Sequence, residues 1–149
     1  MNSDDFSYNL TNTLLFHLEQ TARVSRISAM HYFEENPNIS ISYNVFSIID
    51  AIYLNPEIHQ RDLAKLLLKD TANLSRDLEK LEKSGYVVRT VDLKANRIVK
   101  KILLTEKGLE LHKSISCLAG AHVEHIESVF NLEEKEVFKE FLTRLKNNL

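Results

Sequence analysis

The chain is short of the residues that interrupt regular structure, with only 3 glycines and 2 prolines in 149 residues. Because glycine and proline end helices and strands, this scarcity predicts long, uninterrupted elements. No apolar run approaches the roughly 20 residues that a membrane-spanning helix needs. The first residues, MNSDDFSYNL, lack the basic and apolar regions of a secretory signal. We therefore expect a cytoplasmic protein without a membrane partner.

Cysteine is nearly absent. The single thiol, Cys117, excludes a disulfide within the chain and fits a reducing compartment. Its surroundings, SISCLAG, are small and apolar, which predicts a buried, inert thiol more than a redox sensor. The chain also has no glycine-rich phosphate loop, nucleophile elbow or recognisable pair of catalytic carboxylates. We therefore expect neither an enzyme nor a cofactor.

The charged residues are unevenly distributed. The formal net charge of -2 gives no indication of a nucleic-acid ligand. Residues 57–107, however, contain 12 Lys or Arg and 8 Asp or Glu, whereas the rest of the chain contains 7 and 13. A net charge of +4 in one segment against -6 elsewhere is expected when one face of a protein meets phosphates.

Hydrophobic periodicity predicts a chain built mainly from helices. Pro37 and Pro56 should end the first two, because a residue before proline disfavours the helical conformation. The predicted helices are 9–35, 39–55, 59–68, 70–84, 105–130 and 132–149, and the predicted strands are 86–91 and 98–105. The order α-α-α-α-β-β-α-α indicates a mainly α fold with a small β-hairpin.

The third and fourth predicted helices are short and joined by a tight turn, as in a helix-turn-helix. Asp70 can cap the fourth helix because its carboxylate accepts the free amides of the first turn, and Gly85 can close it. Its predicted buried face consists of three leucines at helical spacing: Leu74, Leu78 and Leu81.

The opposite face of the 70–84 helix is small and polar in its N-terminal half, so it can lie against base edges in a major groove. Arg76 can reach a guanine or a phosphate, and Asn73 can add an amide contact. A solvated helix surface is the simpler interpretation of this face. From this helix, the residues that we predict to contact DNA are Thr71, Ala72, Asn73, Ser75 and Arg76.

The segment after this helix favours the DNA interpretation. The stretch DLKANR, residues 92–97, is a polar tip between two apolar strands, and a basic hairpin after a helix-turn-helix makes a winged helix. Cations on such a wing can contact the minor groove or the phosphates beside it. The wing residues that we predict to contact DNA are Arg89, Lys94, Asn96 and Arg97.

Four motifs occur in the order RDLAKLL, ANLSRDLEKLEKSGYVVR, DLKANR and ILLTEKG. With the long helices on both sides, they resemble the MarR family of bacterial transcriptional regulators over nearly the whole chain. The family wing usually reads Asp-x-Arg-Asp-x-Arg. Here Asp92 and Arg97 keep their places, Lys94 stands for the first arginine, and Ala95 replaces the second aspartate. Because lysine lacks the planar fork of arginine, Arg97 is the stronger candidate for a minor-groove contact.

The resemblance implies a homodimer, with a winged-helix DNA-binding lobe at 37–108 and dimerisation helices at 1–36 and 109–149. Two copies of the 70–84 helix would read a pseudo-palindromic, double-stranded operator about one helical turn apart. A small-molecule effector, whose binding residues the sequence does not identify, would release the repressed promoter. We expect the dimer interface to contain Phe6, Leu10, Leu14, Phe138, Phe141, Leu142 and Leu145.

Three histidines leave a metal site open as an alternative. His122 and His125 lie three residues apart on the predicted 105–130 helix, a spacing that can hold a metal ion, and His112 lies on the same helix. Histidines on a charged helix are more commonly solvated or part of the core. We therefore predict no metal.

An alternative from another class is a winged-helix protein-interaction module or antirepressor that never binds DNA. Such a protein needs no positive surface where Thr71, Arg76 and Arg97 converge, whereas a DNA-binding regulator does. A salt-dependent mobility shift on the region upstream of its own gene distinguishes the two.

Overall fold

The computed structural model describes residues 9–94 and 97–149, without the side chains of residues 92–99. After a 3-10 turn at Leu10–Asn12, the helices are α1 (Leu14–Glu35), α2 (Tyr43–Leu54), α3 (Gln60–Leu66), α4 (Thr71–Lys83), α5 (Glu106–Glu127) and α6 (Leu132–Asn147). The strands are β1 (Ile58–His59), β2 (Val87–Lys94) and β3 (Arg97–Leu104). The predicted mainly α fold with a β-hairpin is confirmed.

The chain divides into two units, Met1–His112 and Lys113–Leu149. The first contains α1 to α4, the sheet and the start of α5, and the second contains the rest of α5 and all of α6. The residue ranges expected for the DNA-binding lobe, 37–108, and for the dimerisation helices, 1–36 and 109–149, stay predictions. Within the described residues, every helix is too short or too polar to cross a bilayer.

Several predicted helices are longer than the observed ones, because periodicity does not mark the residue at which a helix begins. The helix predicted from residue 9 starts at Leu14, where the Thr13 side chain accepts the Phe16 amide. The helix predicted from residue 39 starts at Tyr43, after its N-cap Ser42. Three helices also end earlier than predicted. The third, fifth and sixth end at Leu66, Glu127 and Asn147, whereas the predicted ends are residues 68, 130 and 149.

One strand is missing from the sequence prediction. β1 pairs antiparallel with β3, so that Ile58 lies opposite Ile102 and His59 opposite Lys101. The sheet is therefore three-stranded in the order β1-β3-β2. A two-residue strand is too short to show the alternation that identifies strands in a sequence, and His59 is also the residue before α3.

The hairpin is longer than predicted. β2 and β3 pair from Val87 opposite Leu104 out to Lys94 opposite Arg97, whereas the predicted strands end at Val91 and begin again at Ile98. The polar residues at the ends of DLKANR thus belong to the strand ladder, since backbone pairing continues beyond the apolar positions. Only residues 95–96, which lie outside the described residues, separate the strands.

The core of the first unit lies among α2, α3, α4 and the sheet. Complete burial of one leucine or isoleucine side chain in this core stabilises the fold by about 1.5–3 kcal/mol. The predicted inward leucines of the helix-turn-helix are confirmed, with 0% exposure for Leu74 and Leu78 and 4% for Leu81. Other side chains at 0% exposure in this core are Ile48, Ile49, Leu63 and Ile102.

The end of α4 and the start of α5 meet at Thr105. Its hydroxyl donates to the Gly85 carbonyl at 2.6 Å and accepts the Gly108 amide at 3.1 Å, while its own amide donates to the Tyr86 carbonyl at 3.1 Å. Thr105 therefore caps α5. Gly108 is held so close to Tyr86 that an added Cβ would lie 2.1 Å from the Tyr86 carbonyl oxygen.

Candidate nucleic-acid interface

Both ends of α4 are fixed by hydrogen bonds to backbone amides. At the N-terminus, Asp70 Oδ1 accepts the amides of Ala72 at 2.9 Å and Asn73 at 3.0 Å, and its carboxylate also complements the positive end of the helix dipole. At the C-terminus, Gly85 has a φ of 76° and begins a Schellman motif, in which Tyr86 donates to the Leu81 carbonyl at 2.9 Å. The predicted cap and stop are confirmed.

The rotation of α4 about its axis is set by its buried leucines. Because Leu74 and Leu78 are fully enclosed, Arg76, which lies between them on the opposite side of the helix, faces away from the core. Ser75 is half-buried at the edge of that outer face. The structure brings the other predicted residues of α4 together on the exposed surface: Thr71, Ala72, Asn73 and Arg76.

Arg76 is pre-oriented on this surface. One of its Nη atoms donates to Asn73 Oδ1 at 3.1 Å, one turn earlier in the exposed part of α4. This bond uses one N–H of a group that carries five. The remaining donors of the guanidinium, together with the Asn73 NH₂ group, can still bind base edges or phosphates.

Arg89 lies in a different environment from Arg76. Its Nε donates to Glu82 Oε2 at 2.9 Å, an Nη atom donates to the same oxygen, and its backbone amide donates to Glu82 Oε1 at 3.3 Å. The Arg89 side chain is only 16% exposed. Hydrogen bonding to Arg89 lowers the pKa of Glu82, and the same bonds raise the pKa of Arg89. Its predicted DNA contact stays a prediction.

Glu82 is the residue of this region that the sequence prediction missed. It lies in the last turn of α4 and is half-buried beside β2. Its only signal in the sequence is a carboxylate seven residues before an arginine. That separation has no meaning within one helix or one strand, so the pairing becomes visible only when the chain reverses at Gly85.

The wing supplies the remaining predicted contacts. Lys94 and Arg97 are directly opposite each other at the last described pair of β2 and β3. Asn96 lies outside the described residues, as do the side chains of Lys94 and Arg97. These three contacts stay predictions, although the backbone pairing places both cations at the end of the hairpin farthest from its base at Val87.

The predicted dimer residues leave apolar surface exposed. Leu10 and Leu14 are 56% and 73% exposed near the start of α1, and Phe138 and Phe141 are 47% and 53% exposed on α6. Leu142 and Leu145 are half-buried, and Phe6 lies outside the described residues. Within its own unit, α6 buries none of its residues. Exposed apolar surface of this kind is typical of a protein interface.

The histidine and cysteine predictions have separate outcomes. His112 is a core residue whose Nε2 lies 2.8 Å from Asp50 Oδ1 and whose ring stacks on Tyr53 with the centroids 3.9 Å apart. No group of three or more potential metal ligands occurs in the described part of the chain.

Cys117 is exposed, so the predicted buried thiol is wrong. Small neighbours in the sequence do not determine which side of α5 a residue occupies.

Comparison with known proteins identifies relatives of this arrangement. The model of the MarR family matches residues 39–98. The HTH-type transcriptional regulator YybA of Bacillus subtilis (strain 168) is 29% identical over 115 residues, which are 77% of this chain and 76% of that protein.

Solved structures agree with this match. A MarR transcriptional regulator from Methanosarcina mazei Go1 is 26% identical, with a TM-score of 0.69 over 89% of this chain and 93% of that one. MepR of S. aureus, solved as a DNA complex, has the same fold at 23% identity, with a TM-score of 0.74 over 92% and 98% of the two chains. The present chain thus belongs to the MarR family of winged helix-turn-helix transcriptional regulators, which are DNA-binding proteins and not enzymes.

Proposed function

We propose that the protein is a homodimeric repressor that reads a pseudo-palindromic operator with α4 in the major groove and the β2–β3 hairpin at the minor groove. The exposed N-terminal half of α4 carries the proposal. Its outer side chains are small or polar while Leu74 and Leu78 on its inner side are fully enclosed. The DNA complex of MepR supports duplex DNA as the partner.

The chemistry of this face suits base recognition. Thr71 and Ala72 are short enough for the helix backbone to approach base edges closely, and the Ala72 methyl can contact a thymine methyl. Arg76, held by Asn73, presents a planar fork that matches the O6 and N7 acceptors of guanine. The caps of α4 fix its ends, so little ordering of the helix backbone is needed on binding.

The dimer and its regulation complete the proposal. Exposed apolar side chains on α6 and near the start of α1 support self-association, because burial in a second copy removes them from water. Two half-sites would then be about 34 Å apart, one turn of B-DNA. A small-molecule effector would release the operator by binding more tightly to a dimer state whose α4 helices have a different spacing.

Arg76→Ala is expected to weaken binding to the cognate operator by about 1–3 kcal/mol and to weaken binding to random DNA less. The reason is the loss of a bidentate base contact. Fluorescence anisotropy with the upstream region of its own gene and with a scrambled duplex measures both values. Arg76→Lys is the matched control: it keeps the charge and loses the fork, so it should also lose specificity. Equal losses on both duplexes contradict base reading by Arg76.

Arg97→Ala is expected to weaken binding to all sequences by a similar factor, because a wing cation contacts phosphates or a minor groove with little base information. The slope of log affinity against log salt concentration should fall by about 1. Titrations at several salt concentrations measure this slope. Lys146→Ala, which removes an exposed cation from α6, should leave it unchanged. Unchanged affinity in both Arg76→Ala and Arg97→Ala would falsify the proposed DNA-binding face.

A further inference from the structure

Contact between β2 and the core decreases along the described part of the strand. Val87, at the base of β2, is 2% exposed, whereas Val91 is 69% exposed. A groove of about 220 Å³, lined by Glu82, Arg89, Thr90, Val91 and Lys100, borders this part of the hairpin. Along the described side chains of β2, apolar burial therefore holds the base of the hairpin at Val87 and has ended by Val91.

The Glu82 carboxylate joins α4 to the hairpin at this groove. One carboxylate receives the Arg89 side chain through two nitrogens and the Arg89 backbone amide through its other oxygen. β2 is an edge strand of the sheet, so Glu82 holds the strand backbone as well as a side chain. Charge-assisted bonds of this geometry are directional, and the pKa of Glu82 is lowered in consequence.

Small rotations at this point become large displacements at the wing end. Arg89 and Lys94 are five residues apart in β2, which corresponds to roughly 17 Å of extended strand. A tilt of about 10° at Arg89 would move the end of β2 by about 3 Å, more than the range over which a hydrogen bond to DNA survives. The pair lies at the surface edge of α4 and β2 and not within the core, so we argue its role from the direction that it gives the strand.

We propose that Glu82 is a positioning residue for DNA binding: through Arg89 it fixes the angle between α4 and the wing, so that both reach their grooves at once. This inference rests on the proposed DNA-binding mode of α4 and the hairpin. It gives Arg89 a role in aiming the wing cations, in place of a direct contact with phosphate.

Glu82→Gln tests the proposal, because glutamine keeps the size of the side chain and loses its charge. Affinity for the operator is expected to fall on the order of tenfold, the usual effect of losing a hydrogen bond to a charged group. The sign of the change is decisive. Removal of a negative charge by itself strengthens DNA binding, and an Arg89 freed to contact phosphate would strengthen it further. Unchanged or tighter binding overturns the proposal.

Two further measurements separate positioning from folding. In a Lys94→Ala, Arg97→Ala background, Glu82→Gln should cost less than twofold, because the wing cations that Glu82 would aim are gone. A second full loss overturns the proposal. Arg89→Lys keeps a cation but loses the fork, so its affinity for the operator should fall as much as that of Glu82→Gln. Near-normal affinity of the Arg89→Lys protein overturns the proposal. Thermal unfolding should show that all variants stay folded. Wild-type protein without operator affinity refutes the proposed function itself, whereas normal binding by Glu82→Gln refutes only the positioning role.

Discussion

A chain carrying Phe138→Glu and Phe141→Glu is expected to be monomeric and to lose most of its affinity for the operator. Both rings are about half exposed on α6, and together with Phe130 and Val137 they line an open groove of about 330 Å³. Burying each ring against a second copy contributes about 1.5–3 kcal/mol, and a carboxylate in its place must be desolvated. Without the dimer, each half-site binds alone and the gain from joining two α4 helices is lost.

Analytical ultracentrifugation checks this result through the mass of the particle, which should fall to that of one chain, 17.2 kDa. Thr143→Glu with Asn147→Glu is the matched control, since it adds the same two charges to the other side of α6 and should leave the dimer intact. A chain that ends before Leu132 should also be monomeric. A stable dimer of either the double phenylalanine variant or the truncated chain is incompatible with the proposed interface.

Gly108→Ala is expected to cause the largest loss of stability among single substitutions that add one methyl group. The new Cβ would lie 2.1 Å from the Tyr86 carbonyl oxygen and 3.4 Å from the Leu104 Cβ. The carbonyl cannot yield easily, because it already accepts the Thr105 amide. Alanine favours a helix over glycine by about 1 kcal/mol, but overpacking costs about 1–3 kcal/mol even where side chains can adjust. Against fixed backbone the clash should exceed that range.

Thermal unfolding followed by circular dichroism measures the effect. A cost of about 3 kcal/mol corresponds to a Tm lower by roughly 10 °C in a chain of this size. Gly120→Ala is the control within the same helix, because its added Cβ meets nothing within 4 Å and only the gain in helix propensity remains. It should keep or raise the Tm. A Gly108→Ala protein that unfolds at the wild-type temperature contradicts the tight approach of α5 to Tyr86.

The helix-turn-helix could be predicted because its determinants are local. Asp70 and Gly85 mark the ends of α4 by their own chemistry, and Leu74 and Leu78 repeat within one helix. β1 could not be predicted in this way, since Ile58 becomes part of a strand only through Ile102. The Glu82–Arg89 pair was missed for a similar reason: it depends on the reversal of the chain between a helix and a strand.

The sequence also gave a wrong prediction for the burial of Cys117, which depends on the side of α5 that the residue occupies. The small residues around Cys117 suggested burial, yet the thiol is exposed. Neighbouring residues of a helix lie on different sides of it, so the composition of a few consecutive residues does not determine whether one of them is buried. Arg89 shows the same limit for charge, because a cation in a basic segment is bound to a carboxylate.

The two faces of α4 have a consequence for how regulators of this kind diverge. Leu74 and Leu78 are fully enclosed, whereas Thr71, Ala72 and Asn73 are exposed and take no part in the core. Substitutions at these outer positions are therefore nearly neutral for folding. In the proposed binding mode, a duplicated gene can explore new target sites through them while its product still folds, so operator preference and foldability would evolve on separate residues of a single helix.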